Sequence, residues 1–251
     1  MRIRGHDRYE LKYLLEREQR ERLVKALADH LKPDVLGDDQ GRYPVTSLYY
    51  DTVDHKAYWD KIEGQRFRRK VRIRVYGDQV VTPSTSCFVE IKQRTNMMLQ
   101  KRRVVLPYSS AVALCGAGDD VKKDTKLETD RAVISEVQYL HYALQLRPAC
   151  VVGYSRLAFE DSEYEPDMRV TFDTDLKCRI HDLTLLSQSH AEDHIFLPPG
   201  WCVMEIKVNY RVPYWLTELI GHYRCTLRRI SKYCTALEQS KALLQRQQIV
   251  C

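Results

Sequence analysis

Five segments of this chain alternate charged and apolar residues with a period of two. Glu10 and Lys12 share one face of such a segment, with Tyr9, Leu11 and Tyr13 opposite. Arg72 and Arg74 stand against Val71, Ile73 and Val75; Glu90 and Lys92 against Val89 and Ile91. Glu205 and Lys207 stand against Met204, Ile206 and Val208, and Arg169 and Asp173 against Val170 and Phe172. In a strand, residues i and i+2 point to one side of the sheet, so each segment has one wholly charged face and one wholly apolar face. A single strand of this kind is an ordinary half-solvated strand. Three copies of the same Glu-x-Lys pair are not ordinary surface decoration.

Further strand signals lie at Val45–Tyr50, Gln100–Leu106 and Ala149–Glu160, and a shorter one near Lys177–Leu185. With Ile3–Leu14, Phe67–Tyr76, Ser86–Gln93, Met168–Asp173 and Trp201–Asn209 they make eight or nine mainly extended segments. Helical spacing of apolar residues predicts helices over Glu16–Leu31, Thr129–Leu146 and Ser231–Gln245. Cap and proline signals place two more at Thr52–Ile62, opened by Thr52 or Asp54, and Pro213–His222. Ser187–Gly200 reads as a long loop. No composition shift marks a boundary, so a single domain over 1–251 is expected. Its fold class is α+β, with a large antiparallel sheet or barrel at the centre and peripheral helices.

If the apolar faces pack against helices and the sheet closes, the charged faces point into a lumen. Buried unpaired charge costs several kcal/mol per ion, so such a lumen must be wet or filled by a complementary ligand. Its basic candidates are Lys12, Arg72, Arg74, Lys92, Arg156, Arg169, Lys207, Arg229 and Lys232, against the acidic Glu10, Glu90, Asp173 and Glu205. The basic excess is close to the roughly four negative charges of a triphosphate tail, with a divalent cation at the carboxylates. The expected ligand is therefore a polyphosphate or a nucleoside triphosphate.

Composition narrows the class. Hydrophobic residues make up 44% and charged residues 29%, as in a globular chain, and the net charge of +6 favours an anionic partner without naming one. Met1–Glu10 is charged throughout, unlike a signal peptide, and no window approaches the ~18 apolar residues of a membrane span. The cysteines form no C-x-x-C pair and the histidines no metal-ligand spacing, so free thiols in a cytoplasmic protein are expected. Basic residues that alternate with acids on strands, with no exposed basic helix, argue against nucleic acid.

The same residues carry a family resemblance. The ordered set comprises Tyr9-Glu10-Leu11-Lys12-Tyr13, Ser47-Leu48-Tyr49-Tyr50-Asp51-Thr52, Lys70-Val71-Arg72-Ile73-Arg74-Val75-Tyr76 and Val89-Glu90-Ile91-Lys92. It continues with Tyr154-Ser155-Arg156, Arg169-Val170-Thr171-Phe172-Asp173-Thr174-Asp175, Met204-Glu205-Ile206-Lys207 and Ser231-Lys232-Tyr233. Together they resemble a VTC domain, the polyphosphate-polymerase branch of the triphosphate tunnel metalloenzymes. The resemblance implies an eight-stranded antiparallel β-barrel, a tunnel in which Lys12, Arg72, Arg74, Lys92, Arg156, Arg169, Arg229 and Lys232 grip phosphates. It implies that Glu205 binds a catalytic Mn2+ or Mg2+, and that Lys101 and Arg103, which share a strand face, add contacts. Glu10, Glu90 and Lys207 complete the expected substrate-binding set. Arg8 stands where the wider superfamily has the first acid of Glu-x-Glu-x-Lys, which points to the polymerase branch. Neither the phosphate-sensing helical domain nor the membrane spans of the eukaryotic polymerase subunits are visible in this sequence.

The expected activity is transfer of the ATP γ-phosphate to a growing polyphosphate chain. A hydrolase of triphosphate or nucleoside triphosphate on the same fold, and a non-catalytic polyphosphate-binding module, are the alternatives.

Overall fold

The computed structural model describes residues 8–96, 98–122, 125–162, 165–187, 193–209 and 211–240. The start of the expected first strand (Ile3–Asp7) and the end of the expected last helix (residues 241–245) lie outside them. Among the described residues eight long strands form: β1 (Arg8–Glu16), β3 (Arg42–Asp51), β4 (Phe67–Tyr76), β5 (Ser86–Thr95), β6 (Met98–Pro107), β7 (Arg147–Ser162), β8 (Glu165–Arg179) and β10 (Trp201–Asn209). The five alternating segments lie on β1, β4, β5, β8 and β10. The separate short strand expected near Lys177 is the end of β8. Three two-residue strands, β2 (Lys32–Pro33), β9 (His194–Ile195) and β11 (Thr226–Leu227), were not expected.

Hydrogen bonding orders the strands β11-β1-β10-β8-β7-β3-β4-β5-β6, with β2 on β7 and β9 on β8. The closed eight-stranded barrel is thereby corrected: among the described residues the sheet has eleven strands, and its two ends, β11 and β6, do not pair with each other. The physical reason is that β11 occupies part of the free edge of β1, at Tyr13 and Leu14. What stands is a mostly antiparallel sheet with peripheral helices.

The chain divides into two compact units. The first comprises Met1–Pro44, Tyr154–Leu176 and Leu197–Ser231, the second Val45–Gly153, Lys177–Phe196 and Lys232–Cys251; β3, β7 and β8 each run from one into the other. In the first unit the apolar faces of β1, β8 and β10 bury Tyr13, Leu15, Val170, Phe172, Met204 and Ile206. Leu23 and Leu27 of α1 (Arg17–Leu27) and Leu216 of α5 (Tyr214–His222) complete that core. Helix α1 starts where expected, because the Gln19 side chain accepts a hydrogen bond from the Glu16 N–H at 3.0 Å in a capping box.

The second unit packs Val71, Ile73, Val89, Ile91, Val104 and Leu106 of β4, β5 and β6 against two helices. One, α4 (Glu128–Leu144), forms where a helix was expected and buries Val133, Ile134, Val137 and Leu140. The other, α3 (Tyr108–Ala117), was not expected: its residues are apolar nearly all round, which leaves no periodic signal. It stops at Gly118, whose φ of +73° suits glycine and where a Cβ would lie 2.9 Å from the rings of His141 and Tyr142. Helix α2 (Lys56–Ile62) starts four residues later than expected, but Thr52, one of the two expected caps, does cap it, and Asp51 adds a second acceptor. Lys56 N–H donates to Thr52 Oγ1, and Ala57 N–H to Asp51 Oδ1 at the end of β3, each at 2.9 Å. Asp51 also accepts the Tyr233 hydroxyl at 2.6 Å, tying α6 (Lys232–Gln239) to β3. Cys87, Cys115, Cys150, Cys178, Cys202, Cys225 and Cys234 are free thiols. Among the described residues no helix is long and apolar enough to cross a membrane.

Candidate functional site

In the first unit, register builds a two-by-two block of charge. β1 and β10 pair so that Glu10 lies opposite Lys207, and Lys12 opposite Glu205. Opposite residues in an antiparallel pair share a face, so each carboxylate has cations beside and across from it. Lys12 Nζ lies 3.0 Å from Glu10 Oε1 and 3.2 Å from Glu205 Oε1, and Lys207 Nζ lies 3.4 Å from Glu205 Oε2. Glu205 is buried. Desolvation pulls the Lys207 ammonium below its usual value, and Glu205 and Glu10 counter it only in part.

The next strand continues the pattern. Arg169 lies opposite Lys207 and Thr171 opposite Glu205, on β8. Asp173, fully buried, receives Arg156 of β7 in a two-pronged bond, Nε to Oδ1 at 2.7 Å and Nη2 to Oδ2 at 2.8 Å. Such paired geometry is strong as well as directional. Arg169 is held by Asp34 and by the Tyr43 hydroxyl, at 2.6 Å from Nη2, while Tyr43 in turn donates to Asp34 at 2.9 Å. Lys12, Arg156, Arg169, Glu10, Glu205 and Lys207 thus come together in this unit. Arg229 does not: it is exposed between β11 and α6.

In the second unit, register builds rows across four strands. Tyr49, Arg72, Glu90 and Arg103 form one row, and Ser47, Arg74, Phe88 and Val105 a second. Lys70, Lys92 and Lys101 form a third, with neighbouring strands about 4.8 Å apart. Three lysines side by side repel one another unless an anion lies over them. Within these rows Glu90 is the one carboxylate, wholly buried. Arg72 grips it through Nε at 2.8 Å and through Nη2, and Lys101 Nζ reaches its Oε1 at 2.6 Å. Arg72 Nη1 donates to the Tyr49 hydroxyl at 3.0 Å, and Arg74 Nε to Ser47 Oγ at 2.9 Å. Arg103 is exposed but lies over the Phe88 ring. Lys92 is half-buried, and Lys232, the first residue of α6, is buried.

The field of this unit is strongly positive. Burial alone would push the Tyr49 phenol up, yet Arg72, Arg74 and Lys232 hold it below its ordinary value. Burial would likewise raise the Glu90 carboxyl, but Arg72, Arg74 and Lys101 force it far below the usual range. Glu90 therefore favours the folded state in its ionised form. That stabilisation is complete above the ordinary value near 4.5 and is lost as pH falls through it toward the depressed folded value. The expected result is that wild type melts above Glu90→Gln near neutrality, and that this gap shrinks between about pH 5 and about pH 2. Thermal melts followed by circular dichroism across that range check it; a constant gap would deny the ion pair its role.

Sequence reasoning missed several members. Lys70 extends the lysine row, and strand alternation with Arg72 could have found it. Asp34 and Tyr43 were missed because they meet Arg169 from 126 residues away or more. Tyr49 was missed as well: its hydroxyl is a hydrogen-bond partner of Arg72.

Among the described residues no three His, Cys, Asp or Glu side chains converge into a metal cage. Glu10 and Glu205 nonetheless both reach the Lys12 ammonium, so two carboxylates converge on one cationic group. One or two carboxylates completed by substrate phosphates is a donor set that suits Mg2+ or Mn2+.

Comparison with known proteins follows this geometry. The family model of the VTC domain matches residues 7–241, through both units. The chain belongs to the VTC domain family. One curated relative, vacuolar transporter chaperone complex subunit 4 of Trypanosoma cruzi (strain CL Brener), is 27% identical over 225 residues, covering 76% of this chain and 27% of the relative. This VTC domain thus spans about a quarter of that relative's length. Among solved structures, a proposed adenylate cyclase from Bacillus halodurans aligns at TM-score 0.49 and 14% identity, covering 88% of this chain and 92% of its own. A protein from Pyrococcus horikoshii aligns at 0.47 and 11%, covering 92% and 99%.

Proposed function

We propose that this VTC domain is a metal-dependent polyphosphate polymerase, which transfers the γ-phosphate of ATP to the end of a growing polyphosphate chain. The observation that carries the reading is the cross-strand block in which Lys70, Arg72, Arg74, Lys92, Lys101 and Arg103 share a face with the single carboxylate Glu90. A surplus of partly buried cations on neighbouring strands costs free energy by itself and is offset by a polyanion. Equivalent cations at strand spacing suit a polymer, because each phosphate passed along meets another similar site.

Phosphoryl transfer asks for in-line positioning and charge cancellation rather than covalent help. Planar guanidiniums hold two phosphate oxygens at once, which suits Arg72 and Arg74 in the second unit and, separately, Arg156 and Arg169 in the first. Lys12, Lys92, Lys207 and Lys232 add compact positive charge. Glu205, with Glu10, would hold Mn2+ or Mg2+, whose chemistry is to draw charge off phosphoryl oxygens. A phosphate chain end is already ionised at neutral pH, so the acceptor needs no general base.

Incubation with ATP and manganese, followed by electrophoresis and a polyphosphate stain, tests the reading. Polymer that lengthens with time is the expected result. Orthophosphate without polymer would favour the hydrolase. Polyphosphate binding without turnover under any divalent metal would favour the binding module.

A further inference from the structure

We propose that Thr171, together with the Nε–H of Arg169, forms a phosphoryl-oxygen subsite beside Glu205 in the first unit. The inference rests on the polyphosphate reading and adds to it an uncharged residue to which neither the charge pattern nor the resemblance gave a role. Thr171 is fully buried, and among the described residues its Oγ1 has no hydrogen-bond partner. Arg169, two residues earlier on the same face of β8, has its Nε buried without a partner as well. Buried polar groups in folded proteins nearly always find a partner, so two such groups on one strand face ask for a common explanation. A ligand that brings acceptors to both supplies it.

The surroundings decide what that ligand is. Arg169 cannot swing to satisfy itself, because Asp34 and Tyr43 hold Nη2 and Glu160 lies 3.7 Å from Nη1. Asp34 is itself fixed, accepting from Tyr43 and from the Leu36 N–H at 2.9 Å. The Nε–H is thus a preorganised donor, and Thr171 supplies a hydroxyl that can donate alongside it. A cation is disfavoured at this point because Lys207 lies opposite Arg169. An anionic oxygen is favoured. Thr171 lies opposite Glu205, which sets this subsite next to the carboxylate assigned to the metal. A phosphoryl group seated there would offer one oxygen to the two donors and turn others toward that carboxylate's ion.

A threonine in a strand also has a plainer reading, as a β-branched residue that packs well. Valine would then serve equally. Thr171→Val, which keeps the shape and removes the hydroxyl, separates the two readings, with Thr171→Ser as the conservative variant. Binding of inorganic tripolyphosphate is measured by titration calorimetry, and thermal melts are recorded without ligand. Thr171→Val is expected to bind about tenfold or more weakly. Its ligand-free melting temperature should match or exceed wild type, since an unsatisfied buried hydroxyl has been removed. Thr171→Ser should recover most of the lost affinity. Thr171→Ala carries the same binding prediction should the valine variant fail to fold. Wild-type affinity in a folded valine or alanine variant would overturn the subsite and leave the polymerase reading standing. Failure of wild type itself to bind tripolyphosphate would overturn both.

Discussion

Arg74→Ala is expected to lose phosphoryl transfer by on the order of 10²–10³-fold while melting close to wild type, whereas Arg72→Ala loses both activity and stability. The two arginines are neighbours on one face of β4 and are equally buried, but they are tied differently. Arg74 Nε donates to Ser47 Oγ, and its guanidinium lies over the Tyr76 ring. The Ser47 bond runs to a neutral acceptor, so losing it strands no buried charge there, although Arg74 also helps to keep Glu90 ionised. Arg72 donates twice to Glu90, a carboxylate with no exposed surface. Truncating it strands that charge, at a cost of about 3–5 kcal/mol, toward the lower end because Lys101 stays. For a domain of this size that is on the order of 10 °C in Tm. Alternation alone would give both arginines to ligand binding and neither to stability. The cross-strand register is what separates them. Arg72→Met combined with Glu90→Leu should restore the melting temperature but not the activity, because a buried pair replaced whole by apolar side chains is often neutral. Equal melting of Arg72→Ala and Arg74→Ala would contradict the account of Glu90.

Glu205→Gln is expected to lower turnover by a similar factor, on the order of 10²–10³-fold, while leaving tripolyphosphate bound. The amide keeps the shape of the side chain but not the charge that would hold a divalent ion. Lys12 keeps Glu10 at 3.0 Å after the change, so the block does not fall apart. Losing one negative charge makes the face more basic, and tripolyphosphate affinity should hold or rise. Turnover against manganese concentration, beside calorimetric binding, distinguishes loss of the ion from loss of the substrate. Full activity of Glu205→Gln at ordinary manganese would remove this residue from the reaction.

Much of this architecture is legible in the sequence because strand alternation is a strong local signal. Each long strand announces itself, and Glu10, Lys12, Glu205 and Lys207 can be placed on one kind of face before any pairing is known. What alternation does not contain is register. That Glu90 meets Arg72 rather than Arg74, or that Thr171 faces Glu205, depends on which residues lie opposite across a ladder. Closure is also a property of edges: a two-residue strand such as β11 carries no periodicity, yet it changes what the edge of β1 pairs with. Helix α3 hides for the opposite reason, being too uniformly apolar to show a stripe. Asp34 sits in a turn and reaches Arg169 across 135 residues, a contact no local pattern records.

The central claim is that these basic strand faces serve the lengthening of a phosphate chain. Phosphorus NMR of a reaction containing the protein, ATP and manganese tests it most directly. The account predicts ADP and internal-phosphate signals rising in matched amounts, with little orthophosphate. ADP and orthophosphate alone, without internal phosphate, would contradict it.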